Sequence, residues 1–563
     1  MAASAIAEFE DACKNAASIQ EELLLGILRK NACCEYLQKY GSPLTVAAFK
    51  SQVPVIGYDD IRSDLERIAG GDRGQILCHD PITSFFTSSG TSSGKNKNIP
   101  ATYENTVSVV KVLESSYAYK TNYFDLGKGR SVSLLYFKDL HATKSGLVFG
   151  PVTAHGIRST RFRQVWRSSR TTPYEVLVAA SDFRELTYCH LLCALLQRHE
   201  VEQVECMYAY SICEALRLFQ NEYWEELCND IRTASLSKTK VMDPKLRKAF
   251  ERAGVFRSKC GNAMEADKIF KICSNESWSG ILPLLFPKAK LVSAVVTGAM
   301  THYVPTLSFY AGDQLPIVGQ GFFSSEGGIG INIDPLSPPE DVIYTVTPRS
   351  LYYEFLPLGA TEALSMHEVV IGELYEILVT NFAGLYRCRM GDVVQITSFF
   401  HGAPQMAYHH RKNAVMCINN ETVDEQMLQN VVNKVSKDAG VEVLDFMIYG
   451  DPAAVPPSYT IFWELGNAKD YSKTQVLEQC CANVLKSFNP EHTRKGTDGL
   501  IDSFELVIVK KGTFERLMEE AVKNGASPAQ YKTPRCVASS RILEALNSGR
   551  VHSYKSSAMS KVN

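Results

Sequence analysis

From residue 290 onward the chain repeats short runs rich in apolar and β-branched residues: "KLVSAVV", "LPIVGQGFF", "DVIYTVTP", "ELYEILVTN" and "DVVQIT". Turn residues separate them, and runs of this kind predict strands. The rhythm then changes. A helical stretch over 423–437 leads to strands "VEVLDFMIYG" and "SYTIFWEL", a helix over 473–487, the strand "FELVIVKKG" and a helix over 513–524. Ahead of residue 290 helical spacing dominates. Ile19 to Tyr40 places Leu23, Leu24, Ile27, Leu28 and Tyr36 at helical intervals. A strand is expected over Ser131–Phe137. Residues 182–235 read as a long helical hairpin: Leu186, Cys189, Leu192, Cys193 and Leu196 form one apolar stripe, and Ile212, Leu216, Phe219, Trp224 and Leu227 the other. Such stripes are core packing. Helices interleaved with strands predict an α/β fold, mixed α+β in detail, with a large N-terminal region of β-sheets and surrounding helices and a small C-terminal α/β domain. The boundary is expected near "HHRKNAVMCINNET" (409–422).

The length of 563 residues corresponds to two to four domains at roughly 100–200 residues each. Charge is balanced, with 59 basic and 61 acidic residues. That balance carries no footprint of nucleic acid or of an anionic membrane as partner. The N-terminal "MAASAIAEFEDACKNAAS" is interrupted by Glu8, Glu10 and Asp11, so no signal or transit peptide is read there. No apolar run reaches the roughly 18–20 residues that span a bilayer. The sixteen cysteines contain no CxxC pair, and the vicinal pairs Cys33-Cys34 and Cys480-Cys481 suit neither a zinc cage nor an easy disulfide. Reduced thiols in a cytoplasmic protein are the expectation.

Three motifs carry chemistry. The first, "FFTSSGTSSGKNKNIP" (85–100), departs from the Walker A pattern: Gly90 and Gly94 are three residues apart, and Asn96 follows Lys95 where a hydroxyl would bind Mg²⁺. A linker is disfavoured by the apolar "ITSFF" before it and the helix-like "YENTVSVVKVLESSYAY" after it. Strand, Ser/Thr/Gly loop and helix in that order can bind phosphate, because glycines admit backbone N–H groups and lysines neutralise charge. An ordinary loop explains the residues equally well. The second, "GFFSSEGGIGIN" (321–332), sets Glu326 at a strand end, where it can hold Mg²⁺ or simply be solvated. In the third, "LYRCRMGDVV" (385–394), a tight Met-Gly-Asp turn between two strands presents Asp392. That carboxylate can accept the hydroxyls of a ribose or hold its own backbone in an Asx-turn.

The order of these motifs, followed by a small domain, resembles adenylate-forming enzymes of the firefly-luciferase-like superfamily. More narrowly, the chain resembles the plant Gretchen Hagen family of acyl acid amido synthetases along nearly its whole length. The matching segments include "SSGTSSGKNKNIP", "LTYCHLLCALLQRHEV", "VVTGAMTHYVPTLSFYAG", "SSEGGIGIN", "YYEFLP", "VTNFAGLYRCRMGDVV", "GTFERLM" and "GASPAQYKTPRCV". The resemblance implies an ATP- and Mg²⁺-dependent ligase. It would join a small plant carboxylic acid (auxin-, jasmonate- or benzoate-like) to an amino acid through an acyl-adenylate, releasing AMP and pyrophosphate. The alternatives are an adenylate-forming ligase with another acceptor, such as coenzyme A, and a non-catalytic carboxylate-binding relative.

By the same resemblance, Ser88, Ser89, Gly90, Thr91, Ser92 and Lys97 would hold the phosphates. Ser324 and Ser325 would contact the nucleotide, Glu326 would bind Mg²⁺ and Asp392 the ribose. Thr297, Gly298 and Phe322 would border the adenine and acyl pockets, within a Thr297–Met300 segment. Lys532 in "QYKTPR" would enter the site with the C-terminal domain and, with Glu326, act catalytically. Arg411 and Lys412 would lie at the hinge. The implied domains are 1–410 for ATP and acyl acid, a hinge at 411–420, and a mobile 421–563, in a monomer. The acyl pocket is expected between the helix after the first motif and the segment 146–160, with Leu113, Tyr117, Val152, Thr153, His155 and Gln320 as its candidates, and an apolar pocket suits a flat or cyclic acid. His155 could pair with the acid's carboxylate. The chain also departs from the family. Phe322-Phe323 stands where an aromatic-small step is usual, "PPSY" (456–459) where "PGHY" is, and "MAY" (406–408), followed by His409-His410, where "FKF" is.

Overall fold

Helical spacing in the N-terminal region becomes the helices Ala2–Lys14, Ala16–Asn31 and Val46–Gln52. Leu24, Ile27, Leu28 and Tyr36 all point into a core that also takes Phe85, Phe86 and Ile99. The computed structural model describes residues 2–87, 97–136, 140–256, 260–412, 416–418, 421–423, 425–451, 458–467, 470, 473–488, 503–523, 531–537 and 540–557. These divide into two compact units. The larger takes the described residues up to Thr87, Lys97–Met390 and Val394–Tyr408; the smaller takes Gly391–Val393 and the described residues from His409 onward.

The larger unit contains a four-stranded sheet in which Ser84–Thr87 pairs antiparallel with Asn98–Ala101 and parallel with Val148–Gly150. This changes the expected setting of the first motif. Residues 88–96 lie outside the described residues, but they connect two paired strands, with Thr87 opposite Asn98. The helix Tyr103–Phe124 begins only after the second strand, capped by Thr102 Oγ1, which accepts from Asn105 N at 3.2 Å. A strand therefore intervenes between loop and helix, because Ile99 and Ala101 bury their side chains fully and need a sheet partner.

A second sheet is all parallel: Arg130–Ser133, Val201–Tyr208, Leu291–Val295 and Ile317–Gly319. The first of these overlaps the expected strand 131–137 only at 131–133: residues 134–136 are not in a strand, and Phe137 lies outside the described residues. The expected hairpin over 182–235 is corrected by the second. Between helix Phe183–Leu196 and helices Ala209–Leu218 and Trp224–Thr233 runs the strand Val201–Tyr208. Its polar letters hide it from pattern reading, since Gln203 and Glu205 look like a solvated face. Both are drawn into the fold instead: buried Gln203 donates through Nε2 to Ser131 Oγ at 2.7 Å, and the largely covered Glu205 accepts from Ser133 Oγ at 2.6 Å. Parallel strands buried on both faces need not alternate.

The third sheet has eight strands in the order Leu364–Ser365, Tyr352–Pro357, Leu374–Thr380, Cys388–Phe400, Ala403–Arg411, Ile343–Val346, Gly328–Ile331 and Phe322–Phe323. It includes the runs read as strands "DVIYTVTP", "ELYEILVTN" and "DVVQIT", whereas the single strand expected from "LPIVGQGFF" is split: Ile317–Gly319 joins the parallel sheet and Phe322–Phe323 this one. The Met-Gly-Asp step is not a turn between two strands. It lies inside the single strand Cys388–Phe400, and the irregularity is confined to Gly391, whose φ of +80° suits a residue without Cβ.

The smaller unit follows the expected alternation: helix Glu425–Ala439, strands Val443–Asp451 and Ser458–Leu465, helix Thr474–Phe488, strand Ser503–Val509 and helix Thr513–Lys523. It then adds helix Ser540–Ser548 and strand Arg550–Ser557, which completes a four-stranded sheet in sequence order. Trp463, Phe446, Ile461 and Phe504 fill its core. Pro456 and Pro457 of "PPSY" lie outside the described residues, as do 413–415, 419 and 420 of the expected hinge. No helix among the described residues is long and apolar enough to cross a membrane.

Candidate functional site

In open α/β sheets, ligands bind beyond the carboxyl ends of parallel strands. Two such ends in the larger unit carry expected site residues. Strand Leu291–Val295 leads to Thr297 and Gly298, and Ile317–Gly319 to Gln320. Thr297 Oγ1 lies 2.8 Å from the Tyr344 hydroxyl. Burial lifts the Tyr344 phenol to about 12, against the Thr297 hydrogen bond, so it stays protonated at neutral pH. Gly298 has a φ of +61°, and a Cβ there would stand 3.0 Å from Tyr408 Cε1. The Phe322 ring lies 5.6 Å from that of Tyr344 and 5.7 Å, edge-on, from that of Tyr408. Thr297, Gly298 and Phe322 are thus brought together, joined by two tyrosines that motif reading did not select. Tyr408 was visible only as the end of "MAY". Met300, at the end of the Thr297–Met300 segment, is in the core, 1% exposed.

Phe323 does not simply enlarge the wall beside Phe322. A Cβ on Gly321 would meet its Cε2 at 2.8 Å, so the ring occupies space that Gly321 leaves open. The following turn is held by its own hydroxyl: Ser324 N donates to Gly327 O at 2.9 Å, and Glu326 N donates to Ser324 Oγ at 3.2 Å. Ser325 is half-buried. The Glu326 carbonyl accepts from Asn381 Nδ2 at 3.2 Å and from Asn105 Nδ2 at 3.5 Å. Both asparagines are fully buried. Asn381 lay in plain view in "VTNFAGLYRC", where an amide at the end of an apolar strand is the signal. The Glu326 residue is 9% exposed. Among the described residues its carboxylate accepts no hydrogen bond and joins no ion pair.

Lys97 is half-buried, with Nζ 5.6 Å from the centre of the Tyr58 ring. Tyr58 Oη in turn accepts from Asn98 N at 2.9 Å, at the start of the strand that closes the first motif. Ser88, Ser89, Gly90, Thr91 and Ser92 lie outside the described residues.

In the smaller unit Asp392 is 7% exposed, with Arg411 Nε 3.8 Å from Oδ1. Lys412 N donates to Gly391 O at 2.7 Å. The glycine kink, the carboxylate and the two basic residues are therefore one local assembly. Lys532 is exposed on the extended segment 531–537.

The acyl-pocket candidates fall on two helices and a strand end. Leu113 and Tyr117 are exposed on Tyr103–Phe124, at 49% and 38%. Val152, Thr153 and His155 lie on Val152–Ile157. An Arg161–Glu114 ion pair links the first helix to Thr160–Ser169, which directly follows the second. The His155 ring meets Phe86 edge-on at 5.1 Å. Burial lowers the His155 pKa, opposed by a hydrogen bond to the Phe85 backbone, and Nε2 has no hydrogen-bond partner among the described residues. Gln320 is committed to the scaffold, its Nε2 donating to Cys206 O at 3.0 Å and Ser293 O at 3.3 Å.

Beside those strand ends is a buried network that sequence reading missed. Glu205 receives Lys120 Nζ at 3.3 Å and Arg170 Nη2 at 2.8 Å, and Lys120 also reaches Ser293 Oγ at 3.3 Å. Burial pushes the Glu205 carboxyl up, but Arg170, Lys120 and Ser133 outweigh it and hold the pKa at about 2. The network pins the helix carrying Leu113 and Tyr117 to the parallel sheet.

This arrangement has close counterparts. The GH3 family N-terminal domain matches residues 5–317, the central domain 344–411 and the C-terminal domain 426–541. Jasmonoyl-L-amino acid synthetase JAR6 of Nicotiana attenuata is 37% identical over 577 residues, which cover 98% of this chain and 97% of the relative. Indole-3-acetic acid-amido synthetase GH3.4 of Arabidopsis thaliana is 34% identical over 98% of this chain and 94% of its own length. The solved structure of the GH3.15 acyl acid amido synthetase matches with a TM-score of 0.88 at 32% identity, covering 98% of this chain and 97% of that one. With a family model over more than half its length and relatives covered almost end to end, the chain belongs to the GH3 family of amido synthetases.

Proposed function

We propose that this protein is an ATP-dependent acyl acid–amino acid ligase that activates a small carboxylic acid as its adenylate and transfers it to the amine of an amino acid. The observation that carries the reading is the turn after Phe322. Half-buried Phe322 and Tyr408, edge-on to each other and backed by buried Tyr344, form with Thr297 and Gly298 a mostly apolar wall suited to an adenine ring. Four residues along the chain, Glu326, 9% exposed as a residue, presents a carboxylate with no partner among the described residues. That lone carboxylate fits Mg²⁺, which binds through one or two carboxylates together with substrate phosphates. Among the described residues no cluster of three or more His, Cys, Asp or Glu could hold a metal by itself. When bound, the ion would neutralise phosphate charge.

The chemistry follows from carboxylate reactivity. A free carboxylate is a poor electrophile, whereas the mixed anhydride with AMP has a good leaving group. The acid attacks the α-phosphate and pyrophosphate leaves. The amine then attacks the activated carbonyl, giving an amide and AMP. Positioning and charge stabilisation supply most of the catalysis in the first step. In this reading Ser88, Ser89, Gly90, Thr91, Ser92 and Lys97 hold the phosphates. Ser324 and Ser325 contact the nucleotide. Asp392, aligned by Arg411, accepts the ribose hydroxyls, and Lys532 neutralises phosphate charge in the adenylation step. Leu113, Tyr117, Val152 and Thr153 face the acyl group. His155 offers it a neutral nitrogen, and Gln320 shapes the wall through its backbone ties. Residues 1–410 bind ATP and acid, 411–420 form a hinge, and 421–563 move between half-reactions. The exposed apolar Leu113 and Tyr117 suit an auxin-, jasmonate- or benzoate-like acid. The protein is expected to act as a cytoplasmic monomer.

A pyrophosphate-release screen over plant carboxylic acids, with and without amino acids, tests the reading. Release should require an acid, and amide should form only with an amino acid present. Asp392→Ala should abolish turnover; unchanged activity would remove the nucleotide-site assignment. ATP binding without pyrophosphate release for any acid would instead mark a non-catalytic relative.

A further inference from the structure

Lys532 sits in a segment built to present it. Along 531–535 the side chains alternate. Tyr531, Thr533 and Arg535 are buried at 8%, 3% and 2% exposure, and Lys532 faces outward. The segment docks on Val443–Asp451, the end strand of the smaller unit's sheet. Ile448 N donates to Arg535 O and Val537 N to Ile448 O, both at 2.8 Å, around a parallel bridge between Ile448 and Cys536.

One carboxylate gathers this segment. Asp445 Oδ2 accepts from Thr533 Oγ1 at 2.6 Å, and Oδ1 accepts from Arg535 Nη1 at 2.5 Å. Arg535 Nη1 also donates to Phe446 O at 3.0 Å, and its guanidinium carbon lies 4.1 Å from the centre of the Phe446 ring. The Arg535 side chain is wholly buried and that of Asp445 nearly so. A register shift in the strand pair lies between Val443 and Asp445. Such bulges re-aim side chains and recur next to functional sites.

A buried ion pair is weak evidence for stability, since apolar residues of similar volume often serve as well or better. What a fully bonded carboxylate imposes here is a single geometry. Besides Phe446 N, which donates to Oδ1 at 2.9 Å, it holds residues 533 and 535, so the backbone on the C-terminal side of Lys532 is held at successive inward positions, and buried Tyr531 lies on the other side. We propose that Asp445 and Thr533 are positioning residues for Lys532, fixing the direction in which its ammonium is offered to the phosphates. The proposal rests on the reading of Lys532 given under Proposed function.

The test is a double-mutant cycle in the full-length enzyme, read as steady-state pyrophosphate release over a range of ATP and acid concentrations up to saturation. Asp445→Asn leaves Arg535 short of its charge partner and endangers folding, so Thr533 is the site to vary. Thr533→Val removes the hydroxyl and keeps the shape; Thr533→Ser keeps the hydroxyl. Lys532→Ala should lower kcat by about a hundredfold, the scale for losing one group that stabilises developing charge. Thr533→Val should lower kcat about tenfold through misplacement, with KM for ATP and acid within about twofold of wild type. Thr533→Ser should restore most of the rate. In the Lys532→Ala background Thr533→Val should have no further effect, because the two residues act through one group. Independent multiplication of the two losses, or full kcat in Thr533→Val while Lys532→Ala is slow, would overturn the positioning role alone. Full kcat in Lys532→Ala would overturn the underlying reading of Lys532 itself, and the positioning role with it. If Thr533→Val does not fold, Thr533→Ala takes its place in the cycle.

Discussion

Single residues in this protein are legible where the backbone demands something unusual. Gly298 combines a φ of +61° with a ring 3.0 Å from where a Cβ would sit. Gly298→Ala is therefore strained by roughly 1–2 kcal/mol in the left-handed region and presses on Tyr408. The expected outcome is a lower thermal midpoint and a KM for ATP raised about three- to tenfold, measured by calorimetry and steady-state pyrophosphate release. The motif reading found Gly298 by resemblance but had no view of Tyr408, more than a hundred positions downstream. Glu326 illustrates the same limit from the other side. Its carboxylate was named at once, whereas Asn105 and Asn381, which hold its backbone, were not. Their role is a pair of hydrogen bonds to one carbonyl, and no local pattern encodes that.

Elements were legible in proportion to how local their signals are. Most strands after residue 290 and the helices of the smaller unit appear where their apolar periodicity places them, although "LPIVGQGFF" breaks into strands of two sheets. The strand Val201–Tyr208 was absorbed into a helical hairpin because Gln203 and Glu205 are polar, and their buried partners come from other elements. Helix Phe183–Leu196 hides a further device. His190 is fully buried, with Nδ1 2.8 Å from Thr172 Oγ1 and Nε2 2.9 Å from Leu135 O, so it is held neutral. Burial lowers its pKa to about 4, against an ordinary value of 6.5. An unfolded chain takes up that proton near 6.5 and the folded one only near 4. Stability is then intact above about pH 6.5 and falls as the pH drops from 6.5 toward 4, by about 3 kcal/mol from this group. Thermal unfolding midpoints measured across that window should fall in the wild type and flatten in His190→Asn. A parallel decline in both would assign the slope elsewhere.

At the scale of the whole molecule, the proposed roles divide between the two units, and steady-state kinetics can separate them. Phe322→Ala removes part of the adenine surface in the larger unit and should raise KM for ATP with a smaller effect on kcat. Lys532→Ala in the smaller unit should do the reverse. A variant that shifts both constants equally from either unit would contradict the division. The two-part organisation itself was visible in the chain, as a change of rhythm near "HHRKNAVMCINNET". The C-terminal helix Ser540–Ser548 and strand Arg550–Ser557 were not, since the strand's exposed and polar residues carry little apolar periodicity. Most element types, the motif order and the family resemblance could be read from the chain, because each is written in residues a few positions apart. Which groups meet could not. The Asp445–Thr533 bond spans 88 residues and the Phe322–Tyr408 contact nearly as many, and folding alone brings such partners into reach. The activation chemistry follows from the motifs, while the way Glu326 is left without a partner among the described residues, and Lys532 is aimed outward, depends on packing that only the folded chain supplies.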